Sequence, residues 1–138
     1  MANKKYDFTS NIDNCSGFYE WNKSLYLIKN NDERANQFKE EKKEHGFSDD
    51  ETWSLDSSIT LFVLPRLKRF REIVKDCGSY PANLKNLNSW LKILDKMIFS
   101  FEIMFKEWKT GEFISKEAQE KKNEGLKLFA EYFEDLWW

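Results

Sequence analysis

Two prolines, five glycines, two cysteines and one histidine are all that these 138 residues hold of the types that break helices, cross-link chains or transfer protons near neutral pH. Each scarcity excludes something. No run shows sustained strand alternation bounded by hairpin turns, and no internal repeat appears. Cys15 and Cys77 are too few for a disulfide framework and lie outside any CxxC spacing, which reads as free thiols in a reducing compartment. His45 is the only histidine and directly precedes Gly46, so a Ser-His-Asp or Cys-His arrangement must use that one position. There is no HExxH, no ExxH pair of a di-iron bundle, no Gly-rich phosphate loop and no zinc spacing. Apolar runs such as IFSF at 98–101 fall far short of the ~20 residues of a membrane span, and the polar start MANKKYDFTSN lacks the apolar stretch of a signal peptide. Charge of one sign is missing too. Twenty-two Lys and Arg oppose 24 Asp and Glu, so no global basic field points to duplex nucleic acid or an anionic membrane. The expectation is a soluble cytoplasmic protein without a bound cofactor.

What the chain does have is aromatic bulk, 17% Phe, Trp and Tyr within 41% hydrophobic residues, enough to bury a core. Residues 1–16 show no sustained period and read as a loose N-terminal arm, with a single helical domain over 17–138. FYEWNKSLYLI at 18–28 is apolar enough to pack as a helix or an extended piece. The charged segment 31–44 suits a solvated helix stopped by Gly46. Ser48 and Glu51 have capping-box spacing and predict a helix start. Trp53, Leu55, Ile59, Phe62, Val63, Leu67, Phe70, Ile73 and Val74 then recur at helical spacing and predict one broad buried face, running to Cys77 and Gly78. Pro65 lies inside that run and predicts a kink near 61–64 or a break into two helices. Asn88 or Ser89 is placed to cap a third helix whose stripe is Trp90, Leu94, Met97, Phe101, Met104 and Trp108. Gly111 ends it and Ser115 caps a last helix running to the C-terminus. Gly125 in that helix predicts a close helix contact or a bend. The fold class is all-α: a compact bundle of about four to five helices with a proline-kinked central helix.

FSDDETWSLD at 47–56, LPRLKRF at 64–70, Trp90 with LDKM at 94–97 and FE at 101–102, and EGLKLFAEYFEDLW at 124–137 occur in an order that resembles an uncharacterised family of small proteins encoded by tailed bacteriophages. The blocks cover about two thirds of the chain, and residues 1–46 look like a variable extension. The resemblance implies a phage origin and a site of action in the host cytoplasm. It brings no catalytic residues.

Three constellations are candidates for function. Arg66 and Arg69 follow the line of Leu55, Ile59, Phe62 and Ile73 at the edge of the expected apolar face. In an antiparallel pair of helices 49–76 and 89–109 they fall level with Asp95 and Glu102. With Asp56, these acids make a structural ion-pair network. Alternatively the guanidinium forks grip an anionic nucleotide ligand, with Trp53, Trp90 or Trp108 as stacking faces. Lys68, Arg71 and Lys75 read as the outer, solvated side of the same helix or as a local anionic-ligand patch. EEKKE at 40–44, with ExxE at 131–134, has the spacing of a magnesium-dependent nucleotide hydrolase, but sits among lysines with almost no apolar face. Trp137 is expected in the core and Trp138 at an edge or subunit contact, so a homo-oligomer stays open. The leading expectation is a non-catalytic protein that inhibits or redirects a host protein, with anti-phage defence as one setting. A sequestering protein for a nucleotide immune signal and a metal-dependent hydrolase are the alternatives.

Overall fold

The computed structural model describes residues 33–138, and these are all-α: α1 is Arg34–His45, α2 Leu55–Cys77, α3 Leu87–Thr110 and α4 Lys116–Glu131, with 3-10 turns at Asp49–Thr52 and Phe133–Asp135. No strand occurs among the described residues. Packing divides the chain into two compact units, Met1–Ile59 and Thr60–Trp138. The expected arm over 1–16, the apolar piece at 18–28 and Cys15 lie outside the described residues, as does the side chain of His45. No described helix is long and apolar enough to cross a membrane.

In the first unit, α1 is the charged helix that the sequence predicts, with Phe38 its buried apolar side chain. Phe38 meets the Trp53 ring edge-on at 5.7 Å, and the Arg34 guanidinium lies 5.6 Å from the same ring, a cation–π arrangement. Gly46 leaves the helix at φ +82°, a backbone conformation that side-chain-bearing residues adopt at a cost. The Ser48–Glu51 capping box forms, with the Ser48 amide donating to Glu51 Oε2 at 2.5 Å. It caps the 3-10 turn and not α2, which begins only at Leu55. The reason lies in the hydroxyl- and acid-rich run DDETWSLDSS. Ser48 Oγ donates to Asp50 Oδ1, Ser54 Oγ to Asp56 Oδ1 at 2.9 Å, and Ser58 Oγ to the Glu51 carbonyl at 2.6 Å. These local bonds offer the backbone alternatives to the helical ladder.

Through the second unit α2 continues to Cys77 without breaking at Pro65. Its buried side is Leu61, Leu64, Leu67 and Val74: Leu67 and Val74 belong to the predicted stripe, whereas Leu55, Ile59 and Phe62 of that stripe are exposed and Leu61 and Leu64 are buried in their place. Both stripes have helical spacing, so periodicity alone does not choose between them. Charge does: Lys68 and Arg71, one turn beyond Leu64 and Leu67, pair with acids on α3 and turn that side inward.

The cap of α3 is Asn86, not Asn88 or Ser89. Its Oδ1 accepts the Ser89 amide at 2.8 Å, which orders the turn two residues earlier than expected. Trp90, Leu94, Met97, Ile98 and Phe101 are buried, while Trp108 at the far end of the stripe is exposed. Gly111 in the left-handed conformation ends α3, and Ser115 caps α4 by accepting the Ala118 amide at 3.1 Å. The two helices approach closely at Gly125. A Cβ there would lie 1.9 Å from Ser100 Oγ and 2.2 Å from the Lys96 carbonyl oxygen. Ser100 Oγ donates to the Lys122 carbonyl at 2.7 Å across this contact, and Lys122 Nζ pairs with Glu107 at 3.2 Å. The glycine therefore serves the close contact anticipated from its place in the helix.

Candidate functional site

Pro65 removes the amide that would bond to the Leu61 carbonyl, and its ring crowds the preceding turn. Arg66 answers this locally: its Nη1 donates to the Phe62 carbonyl at 2.9 Å, and its guanidinium lies 3.8 Å from the Phe62 ring centre. An additional donor is thus supplied where the helical ladder is disturbed. Arg69 is largely buried and donates through Nη1 to Glu72 Oε2 at 3.1 Å on the same helix. Neither arginine makes the bridge to α3 predicted from the antiparallel register. Glu102 instead takes Lys68 at 2.7 Å, and Asp95 takes Arg71 in a two-pronged contact, Nε to Oδ1 at 2.5 Å and Nη2 to Oδ2 at 3.1 Å. Lys68 and Arg71, expected on the outer side of α2, thus face α3, because the helix is turned toward its Leu64 and Leu67 side. Asp56 accepts Ser54 Oγ in the first unit.

This arrangement predicts a coupling that the expected register does not. Arg71→Gln and Asp95→Asn in a double-mutant cycle should couple by about 0.5–1 kcal/mol, the range of a well-formed but partly exposed pair. Arg66→Gln with Asp95→Asn should show none. Urea midpoints read both, and the reverse order would restore the predicted register.

The tryptophans proposed as stacking faces separate in the same way. Trp90 is 1% exposed, between Phe70 at 6.3 Å and Tyr132 at 5.4 Å, and presents no face to a ligand. Trp53 is exposed in the first unit beside Phe38 and Arg34. The glutamates of EEKKE have local occupations: Glu41 accepts the Gln37 amide and the Asp49 backbone amide at 2.9 Å each, and Glu40 pairs with Lys43 at 3.1 Å. Among the described residues no three His, Cys, Asp or Glu side chains form a metal-holding group.

The most distinctive surface is at the C-terminal end. α4 stops at Glu131, so the 3.6-residue period no longer carries Trp137 inward, and the predicted core placement of this side chain is corrected: it is 72% exposed. Phe133 and Trp138 are exposed at 61% each. These rings stand on ordered backbone. The Tyr132 amide donates to the Leu128 carbonyl at 2.9 Å and Asp135 to Tyr132 at 3.0 Å. Trp137 donates to the Asp135 carbonyl at 2.9 Å across Leu136 at φ −81°, ψ 63°, an inverse γ-turn. Phe133 also meets Phe129 edge-on at 5.7 Å, and Phe129 meets buried Phe101 at 5.1 Å, so aromatic contacts run from core to surface. Phe129, Ala130, Phe133, Glu131, Glu134 and Asp135 line an open depression of about 540 Å³. None of its three carboxylates makes an ion pair with a described residue. Sequence reasoning saw Glu131 and Glu134 as metal spacing. The available signal was different: after Lys127 the chain has no Lys or Arg while it carries five aromatics.

No family model matches the chain, and no curated protein or solved structure matches it either.

Proposed function

We propose that this chain is a non-catalytic binding protein that inhibits or redirects another protein by covering part of its surface, the C-terminal aromatic end being the contact. The carrying observation is the outward placement of Phe133, Trp137 and Trp138 on hydrogen-bonded backbone. Tyr, Trp and Phe are enriched at protein interfaces, and rings held in place before binding lose little entropy on association. Exposed apolar clusters of this kind carry a desolvation gain that a partner can realise. The sequence resemblance to small tailed-phage proteins supplies the setting, a bacterial host protein as the target. The nucleotide-sequestering alternative has less support, since Trp90 is buried and Arg66 is engaged with Phe62.

The test is a pull-down from bacterial host lysate with the full chain and with Trp137→Ala/Trp138→Ala. A specific partner retained by the first and lost by the second is the expected result. Capture of no specific partner, or equal capture by both proteins, would overturn the proposal.

A further inference from the structure

The C-terminal surface combines two features that constrain what can cover it. Phe133, Trp137 and Trp138 offer apolar area, while Glu131, Glu134 and Asp135 stand on the same short stretch without ion pairs to described residues. Elsewhere in the second unit, the acids at the contacts between helices are matched: Asp95 by Arg71, Glu102 by Lys68, Glu107 by Lys122 and Glu124 by Lys96. A partner that buries the rings must approach the three carboxylates, and burying a charge without a partner is strongly unfavourable.

From this geometry we infer that the acidic aromatic end receives a cationic segment of a partner polypeptide, whose Lys or Arg side chains meet Glu131, Glu134 and Asp135 while its apolar side chains cover Phe133, Trp137 and Trp138. This rests on the reading of that end as a docking surface and adds the chemistry of the partner. Arginine suits the site doubly, because its planar guanidinium pairs with carboxylates and stacks on tryptophan faces. Nucleic acid and anionic lipid are repelled by the same three charges. A second copy meeting face to face about a two-fold axis brings identical acidic patches together, so self-association through this end is disfavoured.

The experiment uses the full chain and three labelled peptides of one amphipathic pattern, with Arg and Lys, Gln, or Glu at the polar positions. Fluorescence anisotropy should give a Kd for the cationic peptide about tenfold or more below that of the Gln peptide, with the Glu peptide weakest. The preference should shrink in ~1 M NaCl, where the screening length falls to about 3 Å. Glu131→Gln/Glu134→Gln/Asp135→Asn should bind the cationic and Gln peptides alike, with unchanged circular dichroism. Trp137→Ala/Trp138→Ala should weaken all three peptides. Equal binding of the three peptides, no binding of the cationic one, or an undiminished preference in the neutralised variant would overturn the inference. So would sedimentation showing a dimer that Trp137→Ala/Trp138→Ala dissolves. The two readings fail separately. Loss of charge preference with tryptophan-dependent capture of a host partner removes only the cationic assignment, whereas a charge preference with tryptophan-independent capture removes only the proposed function.

Discussion

Trp90→Ala should destabilise the second unit by about 3–5 kcal/mol, whereas Trp137→Ala should change its stability by no more than about 0.5 kcal/mol. Trp90 is fully enclosed, in edge contact with Phe70 and in tilted contact with Tyr132, so truncation removes contacts from α2, α3 and the end of α4 at once and leaves a cavity. A loss of this size is a large part of the ~5–15 kcal/mol that holds an ordinary domain together. Chemical denaturation followed by far-ultraviolet circular dichroism measures both variants. Comparable losses for the two would place Trp137 in the core, as its helical spacing suggests. Trp90→Phe should recover part of the loss, because it restores an aromatic edge to the site with less volume.

Gly125→Ala should cost about 3 kcal/mol, at the upper end of the range for overpacking. The sign is informative, since replacing a mid-helix glycine by alanine ordinarily gains ~1 kcal/mol. Here the added methyl meets Ser100 Oγ at 1.9 Å and the Lys96 carbonyl oxygen at 2.2 Å. A side chain can rotate away; a helical carbonyl moves only with its helix. Ser100→Ala in the Gly125→Ala background should therefore restore little, because the Lys96 contact persists and the hydrogen bond from Ser100 to the Lys122 carbonyl is lost as well. Thermal unfolding of the two single variants and the double variant checks this. A stabilising Gly125→Ala would mean that α3 and α4 are farther apart than described.

The all-α class and the elements of the second unit were legible because strong local signals agree with one another. The α3 stripe, Gly111 as a left-handed stop, Ser115 as a cap and Gly125 as a point of close approach all follow from spacing and residue chemistry. The face of α2 was legible at Leu67 and Val74 but not nearer its start, because the helix is apolar on two sides there and its orientation is decided by Lys68 and Arg71 finding acids on another helix. The contact that Arg66 makes was not legible for a related reason. Its nearest acceptor is a backbone carbonyl one turn back, beside a proline, and a search confined to charged partners overlooks it. At the C-terminal end, helical periodicity was extended through Tyr132 to Trp137 although the chain changes to a 3-10 turn after Glu131.

The short link at residues 111–115 gives the α3–α4 contact a kinetic meaning. Lys96, Ser100, Lys122 and Gly125 meet after closure of a short loop, with little chain entropy lost beforehand. This helical hairpin is thus expected to form early and to provide the surface on which the C-terminal part of α2 condenses. Gly125→Ala should then slow folding more than it speeds unfolding, while loss of the Arg71–Asp95 pair should act mainly on the unfolding rate.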